Sequence, residues 1–562
     1  MPRMLGKNAV MEQLLADGVQ YIFGNPGSTE LALMDALQDY RQIQYILALH
    51  EAVAMGMADG YARATRRPSF VNLHIAPGLA NGISMLYNAY RGHTPLVVTA
   101  GQQDTRMVLQ EPALWGDLVQ MAAQYTKWCV EVQHVEDIPM VLRRAFKVAA
   151  EAPQGPVFVS LPQNTLSDEG EMRIVPTSYT EWRTRPNPDA VERAAALLTA
   201  AQRPVVVCGD GVPLSNAGPE LVRLAELLGA PIFSVGRTDP GFHTGHPLYL
   251  GGFNLLAMAG TRDQLGKADV LLLVGGSFLN LTNQLIYDPT PVLPDDITII
   301  HLDVNSWEIA KTFPVEIGMV GDARLGLRDL TEAAERRMGE AARSAARVRA
   351  SATAAQKQRM RDAAERQLQA EWEHTPISPL RLVAELRDML PRGAAIVGGG
   401  GTSGGPALRQ LLDFDAGTYF GGGGGALGFD LPGPLGVKLA FPDRPVVGFC
   451  AEGNAMYTDQ ALWTAAHYDI PVTYVMVNNA SYRILKMNMV RYLGESGRKS
   501  EYLGMDFGEP VLDLAKLARV WGIHGVRVER PDELRPALRD ALALGRPAVV
   551  DVVVDGSYGD FF

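Results

Sequence analysis

The chain has 562 residues, a formal net charge of −11, 47% hydrophobic and 20% charged residues, and three cysteines. The acidic balance argues against nucleic acid or an anionic membrane surface as the main partner, and the length suffices for three or four domains with a large core. Cys129, Cys208 and Cys450 form no paired spacing and are expected as buried reduced thiols; no apolar run reaches the ~18 residues that span a bilayer. The expected compartment is the cytosol.

In chain order, MPRMLGKNAVMEQLLADGV reads as an amphipathic helix and not a signal peptide, because Glu12 and Asp17 interrupt its apolar pattern. Short β-branched runs then alternate with helical patterns in three sets. The first is YIFG (21–24), YILAL (45–49), SFVNLH (69–74), PLVVTAG (95–101) and PVFVSLP (156–162). The second is PVVVCGDG (204–211), PIFSVG (231–236), VLLLVGG (270–276) and ITIIHLDV (297–304). The third is AAIVGGGG (394–401), PVVGFCAEG (445–453), VTYVMVNN (472–479) and AVVDVVVD (548–555). Near-continuous apolar strands joined through helices predict parallel sheets covered on both faces. The fold class is therefore α/β, with three doubly wound parallel-sheet domains spanning residues 1–165, 186–335 and 376–556. Residues 163–186 are polar, and residues 330–378 predict a charged, solvated linker helix. A helix feeding a last buried strand ends both the first and third sets, which hints at outer domains of like build.

The third set carries the clearest chemistry. Glu452, Gly453 and Asn454 sit where the strand PVVGFC should emerge, at the carboxyl edge where parallel sheets bind ligands. Asn479 ends the next strand, and TDQALWTAAHY (458–468) predicts the crossover helix with Thr458 as its N-cap. One carboxylate, one amide oxygen and nearby carbonyls suit a hard cation completed by phosphate oxygens. A strand-end acid and a turn asparagine also occur for purely structural reasons, so this pattern alone leaves both readings open.

Several segments together resemble the thiamine-diphosphate-dependent decarboxylase and carboligase family, and within it the benzoylformate decarboxylase group. They are FGNPGSTEL (23–31), ILALHEAVAMGMADGYA (46–62), FVNLHIAPG (70–78), PLVVTAGQQ (95–103), APQGPVFVSLP (152–162), ALGFDLPGPLGVKLA (426–440) and ALWTAAHYDIPVTYVMVNNASY (461–482). The resemblance implies a pyrimidine-binding first domain, a middle domain and a diphosphate-binding third domain, with each thiamine diphosphate held between two subunits of a homodimer or homotetramer. It makes Glu452, Asn479 and the Ser481 carbonyl the ligands of Mg²⁺ or another divalent cation. Gly401, Thr402 and Ser403, with Gly453, Asn454 and Tyr482, become contacts to the diphosphate half. Asn25, Pro26 and Gly27 line the other half. Glu51 takes the place of the activating acid, in surroundings (Ala52, Val53, Ala54, Met55) that look apolar. Leu427 props the cofactor into a bent form, and the Gly425 carbonyl accepts from its amino group. Ser28 and His74 stand beside the substrate, a small 2-keto acid or aldehyde.

Three departures from the family pattern matter. Ala451, Glu452 and Gly453 replace Gly-Asp-Gly, lengthening the ligand by one methylene. No histidine occurs between His246 and His301, where the family has a second active-site histidine; Asn280, Thr282 and Asn283 are candidate replacements. Met487, Asn488 and Met489 replace an expected aromatic lining. The implied reaction is decarboxylation of a 2-keto acid to an aldehyde, with possible carboligation. Alternatives are an acyloin-forming carboligase or carbon–carbon lyase, and a non-catalytic cofactor-binding homologue. No flavin-contacting motif is evident between 190 and 330.

Overall fold

In the computed structural model, which describes residues 2–235, 240–253, 258–276, 293 and 296–557, the β-branched runs form the centres of three six-stranded parallel sheets. The first has the spatial order Gln44–Leu47, Tyr21–Gly24, Ser69–Leu73, Leu96–Gln102, Val157–Pro162, Cys129–Glu131. The third runs Tyr419–Phe420, Ala395–Val397, Val446–Ala451, Val472–Asn478, Ala548–Val553, His524–Val528. Numbered within each sheet, both follow 2-1-3-4-6-5, so the outer domains share one topology. The middle sheet follows 3-2-1-4-5-6, from Tyr249–Gly252 at one edge to Ile317–Val320 at the other. Helices cover both faces, as buried parallel strands require.

The outer domains share one apolar core that includes Phe23, Met57 and Leu86 from the first and Phe429, Leu435 and Tyr474 from the third. Helix Glu51–Thr65 lies on helix Pro432–Ala440 through small residues. A Cβ on Gly60 would stand 2.2 Å from the Gly433 carbonyl oxygen, and one on Gly436 would stand 1.9 Å from that of Met57. Glycine there sets how closely the two backbones approach. Tyr468 of the third domain donates to the Tyr45 carbonyl (3.1 Å) and accepts from the Leu47 N–H (2.8 Å), covering the edge strand of the first sheet.

Several local expectations are corrected. The N-terminus opens with strand Arg3–Leu5, paired antiparallel with Glu169–Glu171, and only then enters helix Gly6–Ala16. The charged linker is helix Glu340–Glu371, 32 residues long, separated from helix Ala323–Arg337 by a break at Met338 and Gly339. The crossover helix is Ala461–His467. Thr458 does not cap it: its hydroxyl donates to the Gly428 carbonyl at 2.8 Å. All three cysteines are free thiols, Cys208 and Cys450 buried and Cys129 half-buried. Among the described residues no helix is long and apolar enough to cross a membrane. Asn280, Thr282 and Asn283 lie outside the described residues.

Candidate active site

In both outer sheets the chain leaves the first strand toward one side and the third toward the other. The crevice at their carboxyl ends is a topological switch point. The residues singled out from sequence collect at these two places.

In the first domain, strand Tyr21–Gly24 delivers Asn25, Pro26 and Gly27 and the turn Ser28–Glu30, while the neighbouring strand Ser69–Leu73 delivers His74. Glu51 opens helix Glu51–Thr65 and is buried. Its surroundings are less apolar than the sequence suggests: Asn25 Nδ2 donates to Oε1 at 3.4 Å and Asn81 Nδ2 to Oε2 at 3.0 Å. Ser28 is exposed at the mouth of the crevice. The His74 side chain is 22% exposed and its Nδ1 lies 2.8 Å from Glu30 Oε2. Gly27 rests on that ring so closely that a Cβ would stand 2.1 Å from Nδ1. Ile75, fully buried, follows with φ +37°, a costly left-handed backbone for a β-branched residue. The strain falls directly at the turn that presents His74.

In the third domain, strand Val446–Ala451 ends at Glu452, which is buried. Oε1 accepts the Ser481 N–H at 3.2 Å, whereas Oε2 is buried with no hydrogen-bond partner. Burial pushes the Glu452 carboxyl up to about 7, against the lowering effect of backbone N–H donors. Asn479 Oδ1 accepts from the Ser481 N–H and hydroxyl at 3.1 and 2.9 Å, and its Nδ2 donates to Ser403 Oγ at 3.0 Å. Ala480 between them has φ +55°, which folds the strand end into a tight turn. Tyr482 closes the turn, its ring edge-on to Phe507 and over Gly453.

Opposite stands helix Gly401–Leu411, entered through Gly400 and Gly401 at φ +59° and +61°. Pro406 lies inside it. Lacking an N–H, Pro406 cannot bond the Thr402 carbonyl; Arg483 Nη1 donates to that oxygen instead, at 2.8 Å. The loop before Gly428 is clamped from two sides. Asn88 exchanges hydrogen bonds with the N–H and carbonyl of Ala426, both at 3.0 Å, and Asn454 Oδ1 accepts the Gly428 N–H. Leu427 is left 37% exposed, and the Gly425 carbonyl meets no donor among the described residues. Asn454 Nδ2 donates to Asp430 Oδ2 at 2.9 Å, so both ends of that amide are engaged within the chain.

These groups fit a cation and an anion. The unpartnered Oε2 of Glu452, beside the Asn479 amide oxygen and the Ser481 backbone, is an all-oxygen donor set. Among the described residues no cluster of three His, Cys, Asp or Glu exists, so a metal here relies on amide and carbonyl oxygens. The free N–H groups of Gly401, Thr402 and Ser403 at the start of an 11-residue helix suit diphosphate oxygens.

Sequence reading missed four supporting side chains. Glu30 and Asn88 are buried partners of the site, and Asn81 is an exposed residue whose amide donates to Glu51. Asp430 is a buried acid pushed up to about 7 by desolvation, in spite of N–H bonds from Ala451 and Gly399. An acid inside the apolar run ALGFDLPG was its one visible signal. The helix after Asn479 turns Met487 inward, where it is buried, and leaves Leu485 exposed, so the lining expected from Met487 is not what faces out.

The chain matches three family models: the N-terminal TPP binding domain of thiamine pyrophosphate enzymes over residues 4–123, their central domain over 191–330, and their C-terminal TPP binding domain over 401–552. It is 32% identical to a benzoylformate decarboxylase of Pseudomonas aeruginosa, covering 97% of this chain and 98% of that protein. It is 31% identical to an acetolactate synthase large subunit of Escherichia coli, over 99% and 96%. A solved thiamine diphosphate-dependent 4-hydroxybenzoylformate decarboxylase of Rhodococcus jostii superposes with a TM-score of 0.83 at 29% identity, over 98% of this chain and 99% of that one. Relatives of this identity along the full length, together with three family models that span most of the chain, make it a member of the thiamine pyrophosphate enzyme family.

Proposed function

We propose that the protein binds thiamine diphosphate with Mg²⁺ or another divalent cation and decarboxylates a small 2-keto acid to an aldehyde, in the cytoplasm. The observation that carries this reading is the buried, unpartnered Oε2 of Glu452 beside Asn479 and Ser481. Glu452, Asn479 and the Ser481 carbonyl hold the cation. Gly401, Thr402 and Ser403 donate to the diphosphate, with Gly453, Asn454 and Tyr482 packed around it. Bound there, the thiazolium supplies the electron sink for carbon–carbon cleavage. Leu427, exposed in the loop that Asn88 clamps, would pack against the cofactor, and the Gly425 carbonyl would accept from its amino group. Asn25, Pro26 and Gly27 flank the pyrimidine, and Glu51, oriented by Asn25 and Asn81, shares a proton with that ring. Ser28 binds the substrate carboxylate at the mouth, and His74 moves a proton at the reacting carbon.

The two halves of the site come from different copies of the chain. Helix Ile75–Arg91 starts beside His74 and Glu51, while Asn88 near its far end grips the Leu427 loop. Large apolar side chains left exposed on both halves, Leu31 and Leu49 in the first domain and Leu427 and Tyr457 in the third, support a second copy of the chain covering them. A homodimer, pairing into a homotetramer, brings the two halves together. Carboligation or acyloin cleavage is the second reading, favoured by the acetolactate synthase likeness.

The test is release of labelled CO₂ from carboxyl-labelled pyruvate and aryl 2-keto acids, with cofactor and Mg²⁺ added. Label that stays in every keto acid overturns decarboxylation, and cleavage of an acyloin in that case establishes the lyase reading.

A further inference from the structure

Glu30 is the most densely bonded carboxylate near the site. It is fully buried between the turn Ser28–Glu30 and strand Leu96–Gln102. Oε1 accepts the Gly101 N–H at 2.8 Å and the Thr29 hydroxyl at 2.7 Å. Oε2 accepts the Gly27 N–H at 2.8 Å and lies 2.8 Å from His74 Nδ1. Each oxygen thus already takes a backbone N–H, a group that can only donate. An ionised carboxylate, which has no proton to give, satisfies every one of these contacts. The remaining partner, His74 Nδ1, must then carry the hydrogen between them. Thr29 Oγ1, 3.2 Å from Nδ1, has its own proton committed to Glu30 and presents only lone pairs to the ring. His74 Nε2 makes no hydrogen bond to any described residue and belongs to a partly exposed side chain.

We propose that Glu30 is a positioning residue that locks His74 in the Nδ1–H tautomer and turns Nε2 toward the substrate crevice as the atom that exchanges protons. The packing agrees. Gly27 lies flat on the imidazole, and the strained Ile75 backbone holds the residue that follows it. Glu30 therefore couples three pieces of the crevice: the Gly27 loop, the end of strand Leu96–Gln102 and the histidine. The other titratable groups nearby are Glu51, whose Oε1 lies against the same Gly78 as the His74 Cβ, and the buried Tyr45 phenol, which makes no hydrogen bond. Neither contacts Nδ1, so Glu30 alone sets the tautomer.

This inference rests on the reading of His74 as a proton carrier, but its primary test does not need turnover. In mildly alkaline buffer, ¹⁵N NMR of the histidine-labelled full-length protein, with His74→Gln to assign the signal, should show His74 protonated at Nδ1 and bare at Nε2. A His74 signal with the proton on Nε2 overturns the proposal, whatever reaction the enzyme performs. In Glu30→Gln the amide NH₂ must face either a backbone N–H or the ring. The single tautomer should be lost, and kcat should fall about a hundredfold with KM for the keto acid changed less. Glu30→Asp, which keeps an acceptor-only group, should recover the Nδ1–H signal and part of kcat. A Glu30→Gln variant that folds and keeps the wild-type His74 signal also overturns the proposal. Should that variant not fold, the wild-type spectrum decides.

Discussion

Two carboxylates on opposite halves of the site are asked to do different things, and their neighbours show why. Glu51 is held by two amide donors and faces a crevice; Glu452 is starved of donors on one oxygen, where the proposed cation would sit. Glu51→Gln should lower kcat at least a hundredfold while calorimetry shows thiamine diphosphate still binding, because the diphosphate grip lies elsewhere. Glu452→Gln should do the reverse and abolish metal-dependent cofactor binding, read by the same titration. The buried acids also predict a pH dependence of the cofactor-free, chelator-treated protein. Asp430 and Glu452 are each pushed up to about 7 by burial, from ordinary values of 3.8 and 4.5. Between those limits the folded state binds more protons than the unfolded one. Their contribution is present below the ordinary values, declines as pH rises and is lost by about 7, at up to about 1.4 kcal/mol per pH unit for each group. Urea midpoints across that window should fall with rising pH, and Asp430→Asn should flatten the decline.

Strands and helices show where sequence patterning speaks and where it is silent. Thirteen of the strands read from apolar runs form the interiors of the sheets or their well-covered neighbours. Within the three six-stranded sheets, the five strands that were missed, Cys129–Glu131, Tyr249–Gly252, Ile317–Val320, Tyr419–Phe420 and His524–Val528, are all edge strands. An edge strand is short and half-exposed, so its residues need not form a continuous apolar run. The misread Thr458 has a similar cause: its hydroxyl was expected to serve its own helix but is claimed by Gly428, 30 residues earlier. Long-range demands also explain Arg483. Its bond to Thr402 replaces the one that Pro406 cannot make, so Arg483→Ala should weaken cofactor affinity roughly tenfold with little effect on kcat at saturation. The close helix pair makes a further prediction. Gly60→Ala places a methyl against the Gly433 carbonyl and should destabilise the protein by about 1–3 kcal/mol, measured by denaturant unfolding.

Across the molecule, two domains of identical strand order are joined in one core, and each carries its own switch-point crevice. Large apolar side chains are exposed in the first domain at Leu31, Leu49 and Leu109, the last 99% exposed, and in the third at Leu427, Tyr457 and Leu485. Such side chains suit the dimer proposed above. Leu109→Asp should shift the protein toward monomer by mass photometry and lose activity in the same measure. On the dimer proposed above, dilution of the wild type should do likewise.

The amino-acid order was enough to establish three parallel-sheet domains, the family, and the positions of Glu51, His74, Glu452 and Asn479, because apolar runs and strand-end polar residues are local signals. It could not reveal Glu30 behind His74, Asp430 behind the glycine loop, Asn81 on Glu51 or Asn88 under Ala426, since each meets its partner through pairings between segments distant in the chain. Chemistry at a sheet edge is written where a strand stops. The groups that hold it in place are chosen by packing, and packing exists only once the chain has folded.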